Sequence, residues 1–208
     1  MRLICLFTAT LLLLTISTPG QSAGPQPQPC TLTVSQAPVI RGIKLGMKTQ
    51  DVLAIFPGSA EEPLNKAALE KVDNYPNFGA ANLSIGIRQY PTPKGRFDGI
   101  SNYRLVSLDS RLVQYAVEYD GLPYGPRWHR VDDFIAKMAE AFHLPSASEW
   151  VVDDYANYRK TLKCEGFRLE ASILNSNGIF TVATPDPYKV IDDRRREFEE
   201  KIKREFKP

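Results

Sequence analysis

The spacing of apolar positions changes period several times along this chain, and each change marks an element. Val52, Leu53 and Phe56 lie on one side of a segment that opens at Thr49, carries Asp51 in its first turn and stops at Pro57-Gly58. Thr49 is a capping residue type and Asp51 suits the positive end of a helix dipole, so the segment reads as a short helix. A second helix is expected from Pro63, a favoured first helical position, with Leu64, Ala67, Ala68 and Val72 as its stripe and a stop at Asn74 to Asn77. The period then falls to two. Leu83, Ile85 and Ile87 alternate with Ser84, Gly86 and Arg88, which reads as a half-buried strand. Tyr103 to Leu108 and Leu112 to Tyr119 form a hairpin across Asp109-Ser110-Arg111, with Val113, Tyr115, Val117 and Tyr119 sharing a face. Val131, Phe134, Ile135, Met138 and Phe142 return to helical spacing, closed by Pro145. Strands are expected again at Tyr158 to Cys164, Phe167 to Ile173 and Ile179 to Ala183, with turns at Gly166 and at Asn177-Gly178. A last helix over 187–208 carries Tyr188, Ile191, Phe198, Ile202 and Phe206 in one line, with Glu197–Lys201 and Glu200–Arg204 as candidate i, i+4 pairs.

The order is α-α-β-β-β-α-β-β-β-α. Helices segregate from hairpins, which predicts an α+β domain: an antiparallel sheet with helices packed on one face. The helix-then-three-strands order occurs twice. The folded domain is expected over 38–186, followed by the charged helix of 187–208, which either docks on its own domain or serves as a contact for a partner or a second copy.

The N-terminus changes the picture from fold to compartment. Met1-Arg2 precedes an apolar run from Leu3 to Ile16, then the small residues Ser17, Thr18, Gly20, Ser22 and Ala23. A basic start, a short apolar core and a small-residue exit read as a cleaved export signal over 1–23. The run is short for a bilayer span, and no stable membrane span is expected elsewhere. A Pro/Gln-rich linker over 24–37 follows, expected to be loosely ordered. The protein should therefore act outside the cytoplasm, in a periplasm or secreted. Of three cysteines, Cys5 lies in the leader, which leaves Cys30 and Cys164 as an even pair for an oxidising compartment and an expected disulfide. Net charge is only +2, with basic and acidic residues interleaved, so no nucleic-acid partner is expected.

Ile43-Lys44-Leu45-Gly46-Met47-Lys48-Thr49-Gln50-Asp51-Val52, running into Phe56-Pro57-Gly58, carries a resemblance. The stretch resembles the opening of the SmpA/OmlA outer-membrane lipoproteins and of the β-lactamase-inhibitor-protein-like domains. That resemblance implies two short helices on an antiparallel sheet and a domain that binds other proteins without catalysis. The mature chain also resembles exported bacterial proteins with no activity assigned to them. The lipobox of the lipoproteins is missing: Gln26-Pro27-Gln28-Pro29 precedes Cys30, so no lipid is expected there. Read physically, Gly46 allows a backbone bend, Leu45 and Met47 point into the core on either side of it, and a helix starts just beyond.

The chemistry-bearing residues are few. His129 and His143 are fourteen apart, and no cysteine pair accompanies them, so no metal site is expected. No Gly-x-Ser-x-Gly elbow and no dinucleotide fingerprint is present, so neither a catalytic set nor a cofactor is expected. The acidic doublets Asp132/Asp133, Asp153/Asp154 and Asp192/Asp193 diverge along their backbones. Aromatic loops are the candidate contact surface: Tyr124, Trp128, Trp150, Tyr155 and Tyr158, with Arg127 beside them. The resulting expectation is an exported, non-catalytic binding or scaffolding module of the bacterial cell envelope, presenting a sheet face or these loops to a protein or polymer. Two alternatives stand beside it: an envelope hydrolase using His129 with Asp132 or Asp133, and a structural protein self-associating through its C-terminal helix.

Overall fold

The computed structural model describes residues 29–70, 78–93, 95–120, 125–153 and 158–207. The expected signal segment, the linker up to residue 28, Tyr124 and Tyr155 lie outside them.

The fold starts earlier than the composition of the linker suggests. Cys30 is buried and bonded to Cys164, with 4.6 Å between their Cα atoms. Leu32 O accepts from Glu165 N at 3.0 Å, and Thr33 bridges Glu165 in parallel. Residues 30–37 are therefore tied to the sheet, and not a loose spacer.

Gly46 adopts φ +75°, the bend the sequence calls for. Its N–H donates to Leu112 O at 2.7 Å, and Leu112 N donates to Met47 O at 2.8 Å. Leu45 and Met47 rest half-buried against the core on either side. Helix α1 (Thr49–Ala54) follows and buries Val52 and Leu53, with Phe56 just beyond it. Its cap position is Lys48; Thr49 is the first helical residue and is buried.

Helix α2 (Pro63–Leu69) departs from the expected stripe. Leu64 is exposed, and the inward residue is Asn65, only 1% exposed. The cause lies in the sheet. Strand β1 (Ala80–Gly86) is an edge strand, and an edge leaves backbone groups unpaired. Asn65 Nδ2 donates to Ser84 O at 3.1 Å and to Ser59 O at 2.9 Å, while Ser84 N donates to Asn65 Oδ1 at 3.0 Å. A side-chain amide thus stands in for a neighbouring strand. Asn65→Leu is expected to cost about 2–3 kcal/mol, since each buried polar group left unmade costs about 1–3. A urea melt with an unchanged midpoint would contradict that role.

The sheet has seven antiparallel strands in the order β1-β2-β3-β7-β6-β5-β4. Strands β2 (Ile100–Leu108) and β3 (Arg111–Tyr119) turn through Asp109 and Ser110, both at positive φ, as a tight hairpin requires. Strand β4 is Val151–Val152, β5 Arg159–Cys164, β6 Phe167–Leu174 and β7 Asn177–Ala183. The meanders β1-β2-β3 and β5-β6-β7 meet at their last strands, β3 against β7, so the repeated element order becomes a repeated arrangement.

Two local expectations are corrected. Val113 is not on the core face: the register shifts between Val106 and Ser107, so Leu112 takes the inward position with Tyr115 and Val117. Asn177-Gly178 is not the β6–β7 turn either. Asn175 and Ser176 make the turn at positive φ, and Gly178 lies inside β7. A Cβ on Gly178 would sit 2.4 Å from the Phe134 ring, so a packing demand fixes the glycine there.

Phe134 belongs to α3 (Val131–Phe142), which buries Val131, Phe134, Ile135 and Met138 on one face of the sheet. His143 closes α3 in the left-handed conformation at φ 54° and is exposed, as its position predicts. Leu83, Ile85, Tyr103, Leu105, Tyr115, Val117, Phe180, Val182 and Leu169 meet α1 and α3 in the main core. Helix α4 (Pro187–Glu205) starts from Asp186, whose carboxylate accepts from Lys189 N at 3.1 Å. Its observed pairs include Lys189–Asp193 and Lys201–Glu205. The helix docks through Ile191, through the Phe198 ring 5.9 Å from Phe78, and through Arg194. Arg194 donates to Phe78 O at 2.8 Å and grips Asp109 with two hydrogen bonds of 2.9 and 2.7 Å, which holds that carboxyl below the usual carboxylate range. Beyond Phe198, Ile202 and Phe206 are exposed.

Candidate functional site

Covering one face of a twisted sheet leaves the other face to be explained. The register pairs Ser84, Arg104, Ala116, Thr181 and Glu170 across five strands on the face opposite the main core. A second row on that face holds Asn82, Val106 and Gln114, and a third holds Ile179, Ser172 and Arg159. These rows line a concavity of about 620 Å³ that also takes in Leu64 of α2 and Tyr188 of α4. That volume lies within the usual range for small-ligand sites.

The floor is mixed in character. Val106, Ala116 and Ile179 are buried but stand apart from the main core. Between them rise polar groups of differing availability. Arg159 is engaged, 3.4 Å from Asp153 and 3.6 Å from Glu170. The Arg104 guanidinium has no hydrogen-bond or ion-pair partner among the described residues. Gln114 Oε1 is buried and receives no hydrogen bond. The rim is apolar and accessible: Leu64 is 76% exposed, Leu174 56%, Tyr158 54% and Tyr188 45%. An apolar rim around a few convergent polar groups is the common composition of a binding site.

The fold separates the members of the candidate aromatic surface. Tyr158 reaches the rim of this concavity. Trp150 does not act at a surface: it is 3% exposed, its ring centroid lies 6.3 Å from Phe180, and its Nε1 donates to Pro145 O at 3.2 Å. Trp128 is half-buried and packs on Phe134 at 5.2 Å, so it anchors the segment leading into α3. Arg127 is exposed and does not line this concavity. The physical reason is common to both tryptophans. A large ring in a connecting segment gains more by filling the gap between helix and sheet than by facing water.

The groups of the hydrolase alternative are dispersed. Asp132 Oδ1 lies 2.5 Å from Lys160 Nζ, which fastens the first turn of α3 to β5, and Arg130 approaches its other oxygen at 3.9 Å. His129 and Asp133 are exposed. Burial pushes the Tyr119 phenol up to about 12 and raises Tyr103 and Tyr115 as well, because the apolar core disfavours the phenolate. No group of three or more His, Cys, Asp or Glu side chains suited to a metal ion occurs among the described residues. None of the described helices is long and apolar enough to cross a membrane.

Comparison with known proteins narrows little. No family model matches the chain, and no solved structure matches it. A 3-keto-steroid reductase of Kluyveromyces lactis is 23% identical over 124 residues, which cover 60% of this chain and 35% of that protein. The chain spans about a third of the length of the curated relative it matches.

Sequence pattern gives Leu64 and Tyr188 places in apolar helix stripes and gives Arg104 and Gln114 no role in a site. Alternation at Leu83 to Gly86 and at Val113 to Tyr119 sets the intervening positions of those two segments on the face away from the core. Which of them share a site depends on strand pairing, above all on the long-range contact that sets Ala116 of β3 beside Thr181 of β7.

Proposed function

We propose that this chain is an exported, non-catalytic binding module of the cell envelope that takes its partner on the open concave face of the sheet. The observation carrying this reading is the face itself. It is concave, it is rimmed by exposed Leu64, Tyr158, Leu174 and Tyr188, and its Arg104 lacks a partner among the described residues. Export is supported by the leader pattern of residues 1–23 and by the Cys30–Cys164 disulfide, a bond that persists in oxidising compartments. The resemblance of residues 43–58 to exported protein-binding domains points the same way. A reductase role has less support, because the described strands are all antiparallel and lack the strand, glycine loop and helix unit that cradles a dinucleotide. The hydrolase reading is weakened by the engagement of Asp132 with Lys160.

The test is recovery of partners from bacterial envelope extracts on immobilised full-length protein. Tyr158→Ala combined with Tyr188→Ala is expected to lower recovery about tenfold or more, as truncation of aromatic hot spots does. Val34→Ala, on an exposed residue away from the open face, should leave recovery unchanged. Equal recovery by wild type and the double variant would reject the open face as the contact surface.

A further inference from the structure

We propose that α4 pairs antiparallel with the α4 of a second copy of this chain, in a twofold register that sets Arg195 of each copy against the partner's Glu199 and Tyr188 against the partner's Phe206. This goes beyond the binding role argued above and does not depend on it.

The contact row runs along one side of the helix. Tyr188, Asp192, Arg195, Glu199, Ile202 and Phe206 follow one another at alternating steps of four and three residues. That rhythm keeps all six in line, as in the seam of paired helices. The chain's own domain leaves the row open. Docking uses Ile191, Arg194 and Phe198, which lie to one side of it. All six residues of the row are exposed, Ile202 at 50% and Phe206 at 73%. From Arg195 to the end of α4 no residue is even half-buried. A short helical stretch is marginal in water without tertiary packing, and this one carries large apolar side chains with nothing over them.

The charges in the row select the cover. Laid antiparallel on itself about Glu197, the row meets its own complement. Tyr188 faces the partner's Phe206, Arg195 faces the partner's Glu199, and twofold symmetry repeats each contact, as an isologous interface requires. Asp192 opposite the partner's Ile202 is the one pair without attraction. Within the chain, Glu199 has no hydrogen-bond or ion-pair partner among the described residues. Arg195 holds Asp192 at 3.1 Å and lies over the Phe78 ring at 5.8 Å, yet its side chain stays 52% exposed. A guanidinium that gives one nitrogen to a carboxylate keeps donors for a second. A parallel, in-register pair would set Arg195 on Arg195 and Glu199 on Glu199, which like-charge repulsion opposes. An anionic lipid surface would meet Asp192 and Glu199 in the middle of the row. The exposed end of each helix, from Glu199 to Phe206, lies against the first turns of the other. The partner's Phe206 thereby arrives beside Tyr188, at the rim of the open face.

The experiment is sedimentation equilibrium of the full chain over a concentration series, which should show a reversible monomer–dimer equilibrium. Arg195→Glu and Glu199→Arg each bring like charges together twice, and each should weaken the dimer about tenfold or more. Both substitutions in one chain restore opposite charges and should return the dissociation constant to within about threefold of the wild type. Far-ultraviolet circular dichroism should be unchanged throughout, so that weakening is not loss of the helix. The register has its own check. A mixture of Tyr188→Cys and Phe206→Cys chains should cross-link to each other on mild oxidation. Phe206→Cys alone should not, since its two copies lie about 27 Å apart along the helix axes. A monomer at every concentration would overturn the proposal and leave the row to a different partner. So would a dimer that the single reversals do not weaken, a double variant that stays weak, or cross-linking of Phe206→Cys to itself.

Discussion

Replacing Cys30 and Cys164 together by serine is expected to lower the free energy of unfolding by about 4–5 kcal/mol. The bridge joins residues 134 apart in sequence, and closing a loop of that size removes a large share of the unfolded chain's freedom. Several contacts remain in the variant and work against the loss. Leu32 O still accepts from Glu165 N, and Ala37 and Ile40 still bury against the core. Those contacts act in the folded state, whereas the cross-link acts mainly on the unfolded one, so they do not replace it. Urea denaturation should show the midpoint falling by about 2 M for a slope near 2 kcal/mol/M. The slope itself should rise, because the unfolded chain expands once it is no longer cross-linked. A midpoint within experimental scatter of the wild type would sink the claim. The double substitution is the right comparison, since a single one leaves a free thiol behind.

Phe134→Ala should destabilise by about 3–5 kcal/mol, the usual range for removing a buried aromatic ring. Phe134 is fully buried at the centre of the α3 interface, with ring centroids 5.2 Å from Trp128 and 5.8 Å from Tyr119. Its face rests where a side chain at Gly178 would be. That contact makes a sharper test available. Gly178→Ala alone should cost about 1–3 kcal/mol from overpacking, because the obstacle is a fixed core ring. In the Phe134→Ala background the obstacle is gone, and the same substitution should cost much less or become favourable by filling the void. The thermodynamic cycle therefore predicts a coupling of about 1–3 kcal/mol between the two positions. Strict additivity would show that Gly178 is not there to admit the ring.

Much of this interface is legible in the order of residues, and some of it is not. Val131, Phe134, Ile135 and Met138 announce α3 and its buried side because helical spacing places them on one face whatever they pack against. Leu83 and Ile85 do the same for β1 at a period of two. Asn177-Gly178 has the composition of a tight turn, yet the chain turns two residues earlier, at Asn175-Ser176. What decides the matter is a ring contributed by α3, about forty residues upstream. Asn65 shows the same limit: an amide within an apparently amphipathic helix turns inward because a sheet edge needs it. The open face is the extreme case. Alternation sets Ser84 and Gln114 away from the core, but only the register gathers them into one concavity with Arg104, Thr181, Glu170, Leu64 and Tyr188. The aromatic loops mislead in the other direction. Tryptophan is equally suited to a contact surface and to a wedge between layers, and composition does not distinguish the two.

The two borders of the sheet are treated unequally. At one, Asn65 already occupies the N–H and carbonyl of Ser84 in the middle of β1. At the other, β4 is two residues long, with Val151 and Val152 exposed. Ribbon-like accretion of copies needs each molecule to offer two docking borders, one for each neighbour. With the first border blocked, a copy that joined another through β4 would stop at a closed twofold pair and could not seed a fibre.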